Sequence, residues 1–199
     1  FGVSLNSAME TALKDASLTA KFFKLDVAGK EAAAVAAQAT AREPQAIFIA
    51  TLAGVGVPLF KELKKAAYRG SLYAFSALDT SVVTKNLGAE AKGLAISQVF
   101  PIPRGVRLKI VAEYVEDVKK LGRGEPSFYG LEAYVEAKVL VEGLRRTGGR
   151  PTPASLVKAL ETMNDFDVGG YFVKYTPEVH QGSGFVEVDV INSAGEISR

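Results

Sequence analysis

The stretch Pro44–Leu63, PQAIFIATLAGVGVPLFKEL, constrains the fold of this chain more than any other. Ala46–Ala50 is a short apolar run bounded by Pro44, the pattern of a strand covered on both faces of a parallel sheet. The run breaks at the small residues Thr51–Gly56 and resumes with Val57, Phe60, Leu63 and Ala67, spaced as on one face of a helix. Strand, turn and amphipathic helix make half of a βαβ unit. In open parallel sheets ligands sit beyond the carboxyl ends of the strands, so Thr51–Gly54 is the first place to look for a site.

The rest of the first half repeats this alternation. Leu5, Ala8, Met9, Ala12, Leu13 and Ala16 predict an amphipathic helix over Val3–Ala16. Ala20–Leu25 reads as a strand, and the alanine-rich Lys30–Arg42 as a slim helix. Leu72–Phe75 follows as a strand, then a short helix to Asn86 capped by Asp79 or Thr80, then a strand over Gly93–Val99. The alternation predicts an α/β fold, a parallel sheet with helices on both faces. Pro101-Ile102-Pro103 continues neither regular element and marks a hinge or domain boundary. Beyond it, periodicity predicts helices over Val106–Leu121, Phe128–Thr147 and Pro153–Met163. The middle one carries two apolar stripes, through Phe128, Leu131, Val135 and Val139 and through Tyr134, Val141 and Leu144, which predicts burial against two neighbours. Tyr171–Tyr175 and Phe185–Ile191 read as antiparallel strands joined by TPEVHQGSG.

Charge and composition exclude several classes of function. Lys and Arg number 24 against 22 Asp and Glu, a net charge of +2, which offers no polyanion-binding surface. No apolar run reaches the roughly 18 residues a membrane helix needs. The absence of cysteine removes disulfides, thiolate metal sites and cysteine nucleophiles. The chain opens at Phe1 without a methionine or a leader, which reads as a mature, processed or truncated form.

Catalytic constellations are also missing. Gly54-Val55-Gly56 follows a strand, but Leu59 stands where a dinucleotide loop needs its third glycine, and Pro58 removes an amide; a nucleotide-dependent enzyme is the remote alternative. His180, the single histidine, falls in a polar turn with no nucleophile elbow in the sequence, and reads as a structural or surface residue. Glu113, Glu116 and Asp117 lie on a solvated helix face, and no metal-ligand spacing is present. The residues describe a binder and not an enzyme, with no cofactor.

Several segments together resemble a known family. They are Phe1-Gly2 opening a helix, the unit at 44–67, NLGAEAKG at 86–93, QVFPIP at 98–103, the helix YVEAKVLVEGLRRTG at 134–148, and Phe172 with His180-Gln181-Gly182. In this order they resemble the type I periplasmic solute-binding proteins, and within them the branched-chain amino-acid-binding (leucine/isoleucine/valine-binding) branch of ABC importers. The resemblance runs the length of the chain but lacks most of the N-terminal lobe that family members carry. It implies a second-lobe α/β domain over 1–100, completed by about 185–199, and helices and a strand over 101–184 that return to the first lobe.

By the same resemblance the chain binds a small solute in an interlobe cleft and delivers it to a membrane permease from the periplasm, or outside the cell on a membrane anchor. The second-lobe side of the cleft maps onto Phe1, Leu52, Ala53 and Ser76, with Asp79 as a neighbour, and Tyr129 occupies another ligand-contacting position. The residue types suit a mostly apolar pocket with few polar groups; for Tyr129 the residues alone fit a core aromatic equally well. Ser76 aligns where amino-acid binders carry an acid for the ligand ammonium, and Leu52 with their aromatic wall. Unless Asp79 substitutes, this implies a ligand without an α-amino group, such as an aromatic or aliphatic carboxylate. A ligand-sensing domain of a receptor or regulator is the alternative within the fold. Apolar helix surface left by the missing lobe predicts a homodimer or a swapped assembly.

Overall fold

A computed structural model describes residues 2–198. The first part of the chain forms α1 (Gly2–Asp15), α2 (Ala32–Thr40), β1 (Ala46–Ile49), α3 (Ala53–Lys65), β2 (Ser71–Phe75), α4 (Thr80–Leu87) and β3 (Leu94–Gln98). Then come α5 (Lys109–Leu121), α6 (Phe128–Arg146), α7 (Pro153–Glu161), β4 (Phe166–Asp167), β5 (Phe172–Val173), β6 (Glu187–Ile191) and β7 (Ile197–Ser198). The residues divide into two compact units: one runs to Gln98 and takes up the chain again from Val188, and the other is Val99–Glu187.

The first unit is α/β, built on a mostly parallel sheet in the order β1-β2-β3-β6-β7. β1 pairs with β2 and β2 with β3 in parallel, Ile49 opposite Ala74 and Ala74 opposite Ile96. Its core joins Ile49, Leu72, Ala74, Leu94 and Ile96 of the sheet to Phe60 and Leu63 of α3 and Val83 and Leu87 of α4. Ala32 and Ala36 of α2 reach the same core, since methyl side chains let a helix approach closely. β3, in the middle of the order, is the strand buried on both sides. β1 is an edge strand, so only Ile49 is fully buried and Phe48 keeps 39% of its surface exposed. The two-sided burial expected of Ala46–Ala50 therefore belongs to β3.

The second unit packs α5 and α6 through Ile110, Val111, Tyr114, Leu131, Val135 and Val139, joined by Met163, Val168, Tyr171 and Val173. Gly169, at φ 100°, sits where an added Cβ would lie 2.9 Å from the Ile110 amide nitrogen; its carbonyl accepts from that amide at 2.9 Å. This contact fixes the β4–β5 turn against the start of α5.

Four expectations need correction. Ala20–Leu25 runs without strand pairing: Leu25 packs on the core, but extended backbone with no ladder partner is not a strand. The terminal strands form no hairpin with each other. β5 instead pairs with β4 across a turn in which Asp167 Oδ1 accepts from the Gly169 and Gly170 amides at 2.8 and 2.5 Å. β6 pairs with β7 across a turn in which Asn192 Oδ1 accepts from Ala194 N and Glu196 N, at 2.9 and 3.0 Å. Short, side-chain-closed turns outcompete the longer loop over 176–184. The helix expected from Val106 starts at Lys109. On α6 the first stripe is buried, while Val141 and Leu144 of the second stay 58% and 39% exposed.

Candidate functional site

The site is built at the carboxyl ends of β1 and β2. β1 ends at Ile49 and α3 begins at Ala53, so the connection is only Ala50–Leu52, and Gly54-Val55-Gly56 are the first turn of the helix, not a loop. Leu52 is the N-cap in an extended conformation; its carbonyl accepts from Val55 N at 3.1 Å and Gly56 N at 2.8 Å. Those two amides are taken up by the cap carbonyl, and the start of α3 carries the partial positive charge of a helix N-terminus. Beside them the Leu52 side chain is 57% exposed, and Ala53 is buried.

β2 ends at Phe75, and a single 3₁₀ turn, Ser76–Leu78, leads to α4. This turn is pinned at three points. Leu78 is 1% exposed and inserts against α3, so closely that a Cβ on Gly56 would lie 2.2 Å from its Cδ1. Asp79 sits at φ 53°, ψ 93°, and its Oδ1 accepts from Ser81 N at 3.0 Å and Val82 N at 3.4 Å. Thr80 is fully enclosed and its hydroxyl accepts from Gln98 Nε2 at 2.7 Å. Ser76 and Asp79 are both half-buried, between solvent and core.

Because β1 and β2 are adjacent and parallel, Leu52, Ala53, Ser76 and Asp79 fall along one edge of the sheet. Tyr129 lies in the other unit, on the first turn of α6, and at 43% exposure it is not a core aromatic. Phe1 lies outside the described residues. One group at this edge escaped the sequence reading: Asp26, whose Oδ1 accepts from Lys30 N at 3.1 Å in a turn closed by Gly29 N donating to Asp26 O. A Cβ on Gly29 would be 3.7 Å from Val55 Cα, so this turn lies against the start of α3. Its signal was the D-x-x-G-K pattern, in which the aspartate accepts from the amide four residues on.

Elsewhere the chemistry is already committed. An open cavity of about 490 Å³ in the second unit is lined by Lys109, Glu113, Lys138, Glu142, Arg145 and Asp167, among others, and by none of the expected site residues. There Glu113 pairs with Lys138 and, at 3.7 Å, with Lys109, while Glu142 pairs with Arg145 at 2.7 Å and Arg146 at 2.9 Å. Hydrogen bonding to Lys138 and to Arg146 holds the Glu113 and Glu142 carboxyls below their ordinary range. His180 is exposed and lies 3.0 Å from Glu161. Among the described residues no group of three or more His, Asp or Glu is placed to hold a metal ion, and no helix is long and apolar enough to cross a membrane.

Comparison with known proteins agrees with this architecture. The chain resembles a solved extracellular ligand-binding receptor from Verminephrobacter eiseniae at 26% identity and a TM-score of 0.78, over 86% of this chain and 49% of that one. It resembles a substrate-binding periplasmic protein from Ralstonia solanacearum at 27% identity and a TM-score of 0.75, over 85% and 49%. A leucine-binding protein from Thermotoga maritima shares the fold at 16% identity, with a TM-score of 0.75 over 91% and 50%. The chain thus spans about half the length of these structures. No curated protein matches it. A sequence model described as periplasmic binding protein matches residues 1–195, and the chain belongs to that family.

Proposed function

We propose that this chain supplies part of the solute-binding cleft of an ABC importer's periplasmic binding protein, with the β1–β2 edge as its gripping surface. The observation that carries the reading is the gathering of Leu52, Ala53, Ser76 and Asp79 at the carboxyl ends of two adjacent parallel strands, where α/β sheets bind ligands. The resemblance alone also proposes Phe1 and Tyr129 as ligand contacts; Tyr129, on the other unit, is 43% exposed. A membrane permease is the delivery partner, and the periplasm is the working compartment.

The ligand is a small aromatic or aliphatic carboxylate. The positive end of the α3 dipole and the residue type of Ser76 suit an anion. Asp79 is engaged in the α4 cap through Oδ1, which fixes the orientation of its carboxylate. Calorimetry on the protein carrying both lobes tests this: benzoate-like acids bind and leucine does not. Tight leucine binding with no binding of such acids refutes it.

The chain alone binds weakly. A cleft of about 1 μM affinity is worth about −8 kcal/mol, and half of that leaves about −4 kcal/mol, roughly millimolar. A homodimer through the exposed part of the second α6 stripe is also part of the reading; Val141 and Leu144 there are 58% and 39% exposed. Light scattering that reports only monomer at high concentration removes it.

A further inference from the structure

We propose that Gln98 is a positioning residue for the binding edge, acting through Thr80 to hold Ser76 and Asp79 in place; this rests on the solute-binding reading above. Gln98 is the last residue of β3 and the last of its unit before the chain passes to Val99. Its side chain is 1% exposed, and its Nε2 donates to the Thr80 hydroxyl at 2.7 Å, from one fully buried side chain to another. Buried amides are retained only where they are hydrogen-bonded, because desolvating an unpaired one is costly.

The partner matters as much as the bond. Thr80 opens α4 directly after Asp79, whose positive φ is held by its own cap to Ser81 and Val82. A cap orients Asp79 relative to α4, but it does not place α4 relative to the sheet. Leu78 supplies apolar contact there, which is strong but non-directional. The Gln98–Thr80 bond is directional, and it joins the start of α4 to the end of β3, two strands away from β1. It therefore sets where Ser76 and Asp79 stand along the sheet edge. A solute held by those residues is tied, through one hydrogen bond, to the strand end from which the chain leaves the unit.

The experiment separates positioning from plain stability. Thr80→Val and Gln98→Met are made singly and together, with Thr80→Ser retaining the hydroxyl. Each single variant strands a buried polar group and lowers the unfolding midpoint. The double variant removes both partners with nearly matched shapes and recovers that midpoint. Positioning predicts that amide exchange over 76–83 stays about tenfold faster than wild type in the double variant, the scale of one buried hydrogen bond, while Ile47–Ile49 amides exchange as before. Thr80→Ser restores the wild-type rate. If the double variant recovers both midpoint and exchange, or the singles leave 76–83 exchange unchanged, the proposal is overturned. Benzoate and leucine titrations run alongside. A wild type binding neither overturns the solute reading, while the exchange result still decides the role of Gln98.

Discussion

Gly56 shows how one missing methyl shapes the binding edge. A Cβ there would lie 2.2 Å from Leu78 Cδ1 and 3.2 Å from Thr51 Cγ2, and Leu78 is locked in the core with 1% exposure. Gly56→Ala gains up to about 1 kcal/mol of helix propensity but overpacks a closed contact at a cost of about 1–3 kcal/mol. Denaturant unfolding should show a net loss of stability; a gain would mean that the 3₁₀ turn yields freely. A second prediction concerns Tyr134, whose hydroxyl donates to Asp117 at 2.7 Å. Burial, then the Asp117 hydrogen bond, pushes its phenol up to about 12 from 10.0. The folded state keeps this proton while the unfolded chain releases it, so the contribution is present below pH 10 and lost as pH rises toward about 12. Tyr134→Phe should flatten stability across that alkaline window. On the acid side the depressed Glu142 carboxyl contributes above its unfolded range, and the contribution is lost as pH falls through the folded value. Glu142→Gln should shallow that limb in the same denaturation series.

At the scale of elements, the sequence was most legible where periodicity and packing agree. The strand–helix unit at 44–67 could be read because Phe60 and Leu63 on one helix face meet Ile49 and Ala74 of the sheet. Asp79 could be read as a cap because a carboxylate preceding a helix has a specific use there. What escaped depends on neighbours that a sequence does not display. Phe48 is as apolar in an edge strand as in a central one, so only the sheet order decides that β3 is buried on both sides. Ala20–Leu25 has strand composition but no ladder. The second stripe of α6 resembles the first by spacing, yet Val135 and Val139 are buried and Val141 is not. That difference is testable: Leu131→Ala, in the buried stripe at 0% exposure, should cost about 2–5 kcal/mol, and Val141→Ala far less. Equal losses would show that the second stripe is also covered. The Gln98–Thr80 pair carried no signal beyond two ordinary polar residues 18 positions apart.

At the scale of the whole molecule, the chain forms two compact units and spans about half the length of the structures it resembles; our account proposes it as part of a solute-binding protein. Its central claim is that the gripping surface runs along the carboxyl ends of β1 and β2. Nuclear magnetic resonance titration of this chain with benzoate tests it most directly. The account predicts saturable shifts, at roughly millimolar concentration, concentrated at the amides of Leu52, Ala53, Ser76 and Asp79. Shifts gathered instead around the Lys109–Glu113 cavity, or none in a titration that also includes leucine, would contradict it.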